Sequence, residues 1–364
     1  MNKVVLYSCV FVMLFSCKKE NKTQENDSSK ATNEWNFFEL KGNVKSTFEF
    51  TSQSNTEKSS NANSIRKYEN QFYNDIALKF DEKGKLIQKI SYSEKGTIAE
   101  EVTYDGKDKI LSVKNYTSPT IYVITKYTWD KNGNNTIISR KFNNTEPLDK
   151  EVFHYINGKK IDAYKYNEKD IQTKKTSYIY DKNNRLIEEI YYQNEDTKQS
   201  KLFYEYDDKG KKVTEAMYDK FDKLVWKTSF TYNESGFLTN EKTFSSEGKL
   251  QYEAFSEYDD KNRVIVKGTF ESFDNSSNKE IFEYNENNAI TLQKVFKNDK
   301  KVSEISYLYD DKKNVILQII KDDTNKIVYQ KEIEYLYDNS LNWINKKTTI
   351  NGIAWFTSRK IDYY

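Results

Sequence analysis

The residues able to do chemistry in this chain are few in kind. His154, in Val152-Phe153-His154-Tyr155, is the single histidine of 364 residues, and Cys9 and Cys17 are the two cysteines. A nucleophilic triad needs a base beside its nucleophile, and a zinc site needs several His or Cys ligands. One histidine and one retained cysteine supply neither. His154 alternates with Phe153 and Tyr155, which puts it on the solvated side of a strand. Carboxylates are abundant, and glycoside hydrolysis needs only two. Here they recur in register at turns and on polar faces, which argues for structure rather than a unique site. Asp130-Lys131-Asn132-Gly133-Asn134 comes nearest to a calcium loop but lacks the acidic spacing and terminal Glu of an EF-hand. No catalytic residue, metal site or cofactor is expected.

What recurs is an aromatic residue ahead of a polar turn. The series is Phe80, Tyr104, Trp129, Tyr155, Tyr180, Tyr206, Tyr232, Tyr258, Tyr284, Tyr309 and Tyr337, at intervals of 24, 25, 26, 25, 26, 26, 26, 26, 25 and 28. Turns such as Asp81-Glu82-Lys83-Gly84 and Asn233-Glu234-Ser235-Gly236 follow, in which the Asp or Asn side chain accepts a backbone N–H and Gly supplies a positive φ. About twelve residues on, a second aromatic recurs (Tyr92, Tyr116, Tyr192, Tyr218, Phe244, Phe270, Phe296), with another turn behind it. Between turns, side chains alternate with period two, as in Leu202/Tyr204/Tyr206, Ile305/Tyr307/Tyr309 and Leu186/Ile190/Tyr192. Pro119 and Pro147, the two prolines, both fall between expected strands.

The expected fold is therefore all-β: a long antiparallel hairpin array of about eleven repeats of roughly 26 residues, curled or spiralled as a single sheet. The aromatic stripes read as a face that packs on itself. Off-pattern Tyr191, Phe203, Phe221 and Phe255 read as an exposed contact surface. Solenoid ends need hiding, which assigns capping roles to Val44–Phe50 at one end and to Trp343 and Trp355 at the other.

The leader has its own signature. Met1-Asn2-Lys3 precedes an apolar run from Val4 to Phe15, too short to span a bilayer as a helix, that ends at Leu14-Phe15-Ser16-Cys17. These residues resemble the lipobox of bacterial lipoproteins, which implies cleavage before Cys17 and acylation of its thiol. Residues 1–16 are then a signal peptide and 17–34 an acylated cysteine with a polar tether spanning about 20–25 Å. Residues 35–79 are capping strands with a polar loop, and 80–364 are the array. The 58 Lys and Arg against 56 Asp and Glu give no electrostatic reason to expect nucleic acid.

Tyr206-Asp-Asp-Lys-Gly210, Tyr258-Asp-Asp-Lys-Asn-Arg-Val264 and Tyr309-Asp-Asp-Lys-Lys-Asn-Val315 resemble the YD repeats of the Rhs family, over roughly residues 78 to 343. That resemblance implies a spiralling β-shell. The chain shows no cargo domain and no shell-closing segment, so the cocoon role does not come with it. Tyr155-Ile-Asn-Gly158 is similar to MORN-like repeat antitoxins. The expected function is a non-enzymatic outer-membrane lipoprotein, facing the periplasm or the cell surface, held to the membrane by its lipid anchor. It offers an extended binding or scaffolding surface to a protein or glycan. An immunity lipoprotein that neutralises a secreted toxin is the alternative, and an envelope glycoside hydrolase the least supported.

Overall fold

The computed structural model describes residues 34–52 and 75–364, except 36 and 94. Cys17, the signal segment and the tether lie outside the described residues.

Each expected turn forms by the chemistry its residues dictate. The Asp81 carboxylate accepts the backbone N–H groups of Lys83 and Lys85, both at 2.9 Å, and the Gly84 N–H donates to the Asp81 carbonyl. Asp181, Asp259, Asp310 and Asp338 repeat the arrangement. The left-handed position is filled by Gly84, Asn184, Gly210, Gly236, Asn262 and Asn288. These are hairpin loops built on a three-residue turn with a bulge. The bulge falls at the anchor aromatic itself: register shifts occur at Phe80, Tyr104, Trp129, Tyr180, Tyr206, Tyr232, Tyr258, Tyr284, Tyr309 and Tyr337. Bulges bend their strand and increase local twist. Repeating one at nearly every hairpin coils the sheet steadily in one direction.

That coiling closes. Among the described residues there are twenty-four strands, from β1 (Val44–Ser52) and β2 (Ile76–Phe80) to β24 (Ile353–Tyr363). Each pairs antiparallel with its chain neighbours, and β1 pairs with both β2 and β24. The sheet is one closed barrel, and it overturns the expectation of an open, curled or spiral array. It equally overturns the likeness to an Rhs-type YD-repeat shell or a MORN-like solenoid, because those readings need two free ends. Val44–Phe50 and the strand bearing Trp355 do not cap separate ends; they bond to each other. The seam is dense. Glu49 pairs with Arg359 at 2.7 Å, the Arg359 guanidinium lies 3.5 Å from the centre of the Trp343 ring, and Thr51 and Thr357 share a 2.9 Å hydroxyl bond. The Tyr364 hydroxyl donates to the Phe80 carbonyl at 2.6 Å.

The expected self-packing aromatic core is absent from the described residues. Their one cluster of buried hydrophobics (Trp35, Leu40, Val44, Leu78, Phe80, Leu86) lies where residues 34–42 cross the seam. Register explains this. Residues paired across two strands share a face, so Tyr204 lies with Glu215, and Leu202 with Glu189. Ile190 lies on the other face with Lys201, and Leu292 with Ser306. The apolar stripes of successive strands thus fall on opposite sides of the wall, and neither side is an uninterrupted apolar surface.

One close approach shows how tightly the wall is set. A Cβ on Gly268 would lie 2.5 Å from the Phe255 ring and 2.8 Å from the Asn278 carbonyl oxygen. Gly268→Ala is therefore expected to destabilise the barrel by about 1–3 kcal/mol through overpacking, read as a lowered midpoint in chemical denaturation.

Candidate functional site

The anchors have a structural task that the sequence did not reveal. The hydroxyls of Tyr180, Tyr206, Tyr232, Tyr258 and Tyr284 donate to carbonyls twenty residues earlier, at Lys160, Leu186, Lys212, Leu238 and Val264, over 2.9, 2.7, 2.8, 2.8 and 2.6 Å. Tyr309 reaches Ile290 at 2.7 Å, and the Trp129 indole N–H reaches Ile110 at 2.9 Å. Each bond ties a bulge to the start of a strand one repeat back. Basic side chains lie over the rings: Lys109 on Trp129, Lys159 on Tyr180, Arg185 on Tyr206, Lys211 on Tyr232, Arg263 on Tyr284 and Lys312 on Tyr337, 4.6–5.4 Å from the centroids. Phe80, fully buried against Trp35 and Phe38, has no hydroxyl to offer. Tyr104 and Tyr155 hold the same place in their repeats, and burial pushes their phenols up.

The feature most able to handle a ligand lies mid-wall, on the face of Tyr204. Strands β10 (Gln172–Tyr180), β11 (Leu186–Gln193), β12 (Thr197–Tyr206), β13 (Lys212–Asp219) and β14 (Leu224–Tyr232) place Tyr178, Glu189, Tyr204, Glu215 and Thr228 side by side. The Glu189 carboxylate accepts the hydroxyls of Tyr191 at 2.9 Å and Tyr204 at 3.0 Å. Lys212 pairs with Glu215 and lies over the rings of Tyr204 and Phe230, at 5.5 and 4.6 Å. Lys160 does the same for Phe153 and Tyr178, at 5.1 and 4.9 Å. The result is a band of phenols, carboxylates and ammonium groups, each holding its neighbour. The same alternation pairs Phe282 with Gln293 and Tyr307 with Gln318 further round the barrel.

Tyr191 and its companions need a correction. Tyr191 is half-buried and bonded to Glu189 rather than offered to solvent, and the Phe255 ring covers Gly268. Only Phe221 is openly exposed, at 70%. The sequence missed Glu189 and Glu215 because alternation within one strand does not say which face its neighbour presents. His154 is exposed, its ring 5.1 Å from Tyr164. Asp130 spends its carboxylate within its own turn, on the N–H groups of Asn132 and Asn134 and the Asn134 side chain. Among the described residues no three His, Cys, Asp or Glu side chains gather as a metal site.

Comparison with known proteins adds little. A family described only as an uncharacterised protein matches residues 197–342, less than half of the chain. No curated protein matches. Among solved structures, the Photorhabdus luminescens Tc holotoxin pore is similar at 11% identity over 78% of this chain and 19% of its own, with a TM-score of 0.26. The chain thus spans about a fifth of that protein's length. A porin-like protein from Bacteroides uniformis is similar at 11% identity over 68% of this chain and 95% of its own, with a TM-score of 0.28. Another, from Bacteroides vulgatus, is similar at 10% identity over 88% and 98%, with a TM-score of 0.18. Likeness this slight bears on neither the fold nor the function. The barrel geometry, by contrast, does correct the expectation of a lipid-anchored sheet offered to a protein or glycan partner. A closed wall has no free edge and no open concave sheet to present.

The band also has a pH signature. Burial, then Glu189, pushes the Tyr178 phenol up to about 12, and the Tyr191 and Tyr204 phenols move up for the same leading reason. A raised phenol favours folding below its unfolded pKa, near 10, and that contribution is lost as pH rises through the folded value. Stability is expected to fall between pH 10 and 12. Glu189→Gln should move ionisation of the band, followed by tyrosinate absorbance, towards lower pH.

Proposed function

We propose that the protein is a non-enzymatic, pore-like barrel of the outer envelope. The phenol- and carboxylate-bearing face lines a water-filled bore for small polar solutes, and Cys17 carries acyl chains. The observation that carries this reading is the pairing of aromatic strands with carboxylate and amide strands, Tyr178 with Glu189, Tyr204 with Glu215 and Phe282 with Gln293. Side chains on the concave side of a ring converge. The face holding Tyr204, Phe282, Ile305 and Ile333 is the more enclosed one, with each of these residues under a tenth exposed. Such a face suits water and polar solutes better than a dry core.

The opposite face carries cross-strand ion pairs, including Glu101–Lys114, Glu188–Lys201, Glu253–Lys242 and Glu334–Lys347. Charges facing hydrocarbon are costly, about 2–4 kcal/mol for each Lys at mid-bilayer. Along these pairs the opposite face is matched to water rather than to hydrocarbon. Nothing among the described residues sets one carboxylate pair apart as a hydrolytic site, and no feature favours a toxin-binding role.

Two measurements test the proposal. Cys17→Ala should abolish incorporation of labelled palmitate into the protein. Glu189→Cys in the folded barrel should react with a small cationic methanethiosulfonate reagent within minutes. A folded variant whose thiol resists the reagent until denaturation would remove the bore from the proposal.

A further inference from the structure

Left-handed backbone is confined in this molecule to Gly, Asn and Asp, with three exceptions among the described residues. They are Glu39 at φ 55°, Lys313 at φ 69° and Leu341 at φ 64°. Crowding at Cβ disfavours that conformation for such side chains, and it persists only where the surroundings over-determine it. Lys313 and Leu341 hold the turn position that equivalent hairpins give to Gly or Asn. All three exceptions line one cleft of about 300 Å³. It lies between the turn after β20 (Lys300–Tyr309), the turn after β22 (Ile327–Tyr337) and the segment that crosses the seam.

The anchor bond is also replaced at this place. The Tyr337 hydroxyl donates to Asp310 at 2.7 Å and accepts from the Asn314 side chain at 2.6 Å. Tyr335 takes the carbonyl twenty residues back instead, at Val315, over 3.4 Å. The two extra residues in this anchor interval free the Tyr337 ring to wall the cleft, with Trp343 beside it. Leu40 and Leu341 add apolar surface, while Lys41, Lys312 and Lys313 outnumber Glu39. Lys312 is partly neutralised by Asp311 at 2.8 Å; among the described residues Lys41 and Lys313 have no carboxylate partner.

We infer that this cleft binds a small organic anion with a flat apolar ring, of the aryl phosphate class. The rings and leucines take its body, and Lys41 and Lys313 take its charge. The volume stands at the small end of ligand sites. Lysine at a strained turn position places an ammonium group where Gly or Asn would place none, so the strain serves the ligand rather than the fold.

Phenyl phosphate, titrated into the purified chain by calorimetry and tryptophan fluorescence, should bind saturably. Its Kd should be at least about tenfold below that of inorganic phosphate, and benzyl alcohol should bind more weakly than either. Lys313→Asn should weaken phenyl phosphate about tenfold or more while raising Tm by about 2 °C as strain is relieved. Leu341→Asn should raise Tm likewise. Asn288→Lys, in an ordinary turn, should lower Tm and leave binding unchanged. The assignment is overturned if wild type shows no saturable binding of phenyl phosphate, if Lys313→Asn binds it as tightly as wild type, or if that variant loses both affinity and Tm.

Discussion

Everything in this molecule depends on backbone pairing between its first and last described strands. A β-sheet with free edges presents unpaired N–H and C=O groups and invites association with other chains. Here the eight residue pairs joining Val44–Ser52 to Phe356–Tyr363 remove both edges at once. They are reinforced by the largely enclosed Arg359 between Glu49 and Trp343, and by Asn342, 1% exposed, which bonds both the N–H and the carbonyl of Lys41. Burial lowers the Arg359 pKa while Glu49 opposes that shift. The pair is a desolvated contact whose partners need each other, since losing either leaves an uncompensated charge.

The wall resolves a conflict in its own composition. A chain with 15% aromatic and 31% charged residues cannot bury the one group without stranding the other. Alternating strands ease the difficulty by setting phenols such as Tyr178 and Tyr204 beside carboxylates and many rings beneath a lysine or arginine. Stability then comes from many half-buried contacts of modest size, with one conventional core among the described residues, at the seam.

Local features were legible in the sequence; relations between distant strands were not. Asp81, Asp181 and Asp259 announced their turns because side-chain acceptance and a left-handed partner four or fewer residues away are short-range chemistry. The period of the strands was readable for the same reason. The assignment of faces failed at Ile190 and Tyr191, since the bulges at Tyr180 and Tyr192 change register in ways that alternation alone does not encode. Closure escaped because Glu49 and Arg359 are 310 residues apart and neither is unusual in its own neighbourhood. Lys313 and Leu341 went unmarked, because only the φ values and the shared cleft set them apart.

The seam also fixes an order of events. Strand β1 is synthesised well before its second partner, β24, since Glu49 and Arg359 lie 310 residues apart. Neighbouring hairpins can zip as they emerge, because their contacts are local. Until β24 is delivered, the growing sheet is a crescent with two adhesive margins, the condition in which chains swap strands or aggregate. Barrel closure is therefore a single event that waits on β24, which makes custody of the unfinished crescent a burden for whatever chaperones receive it.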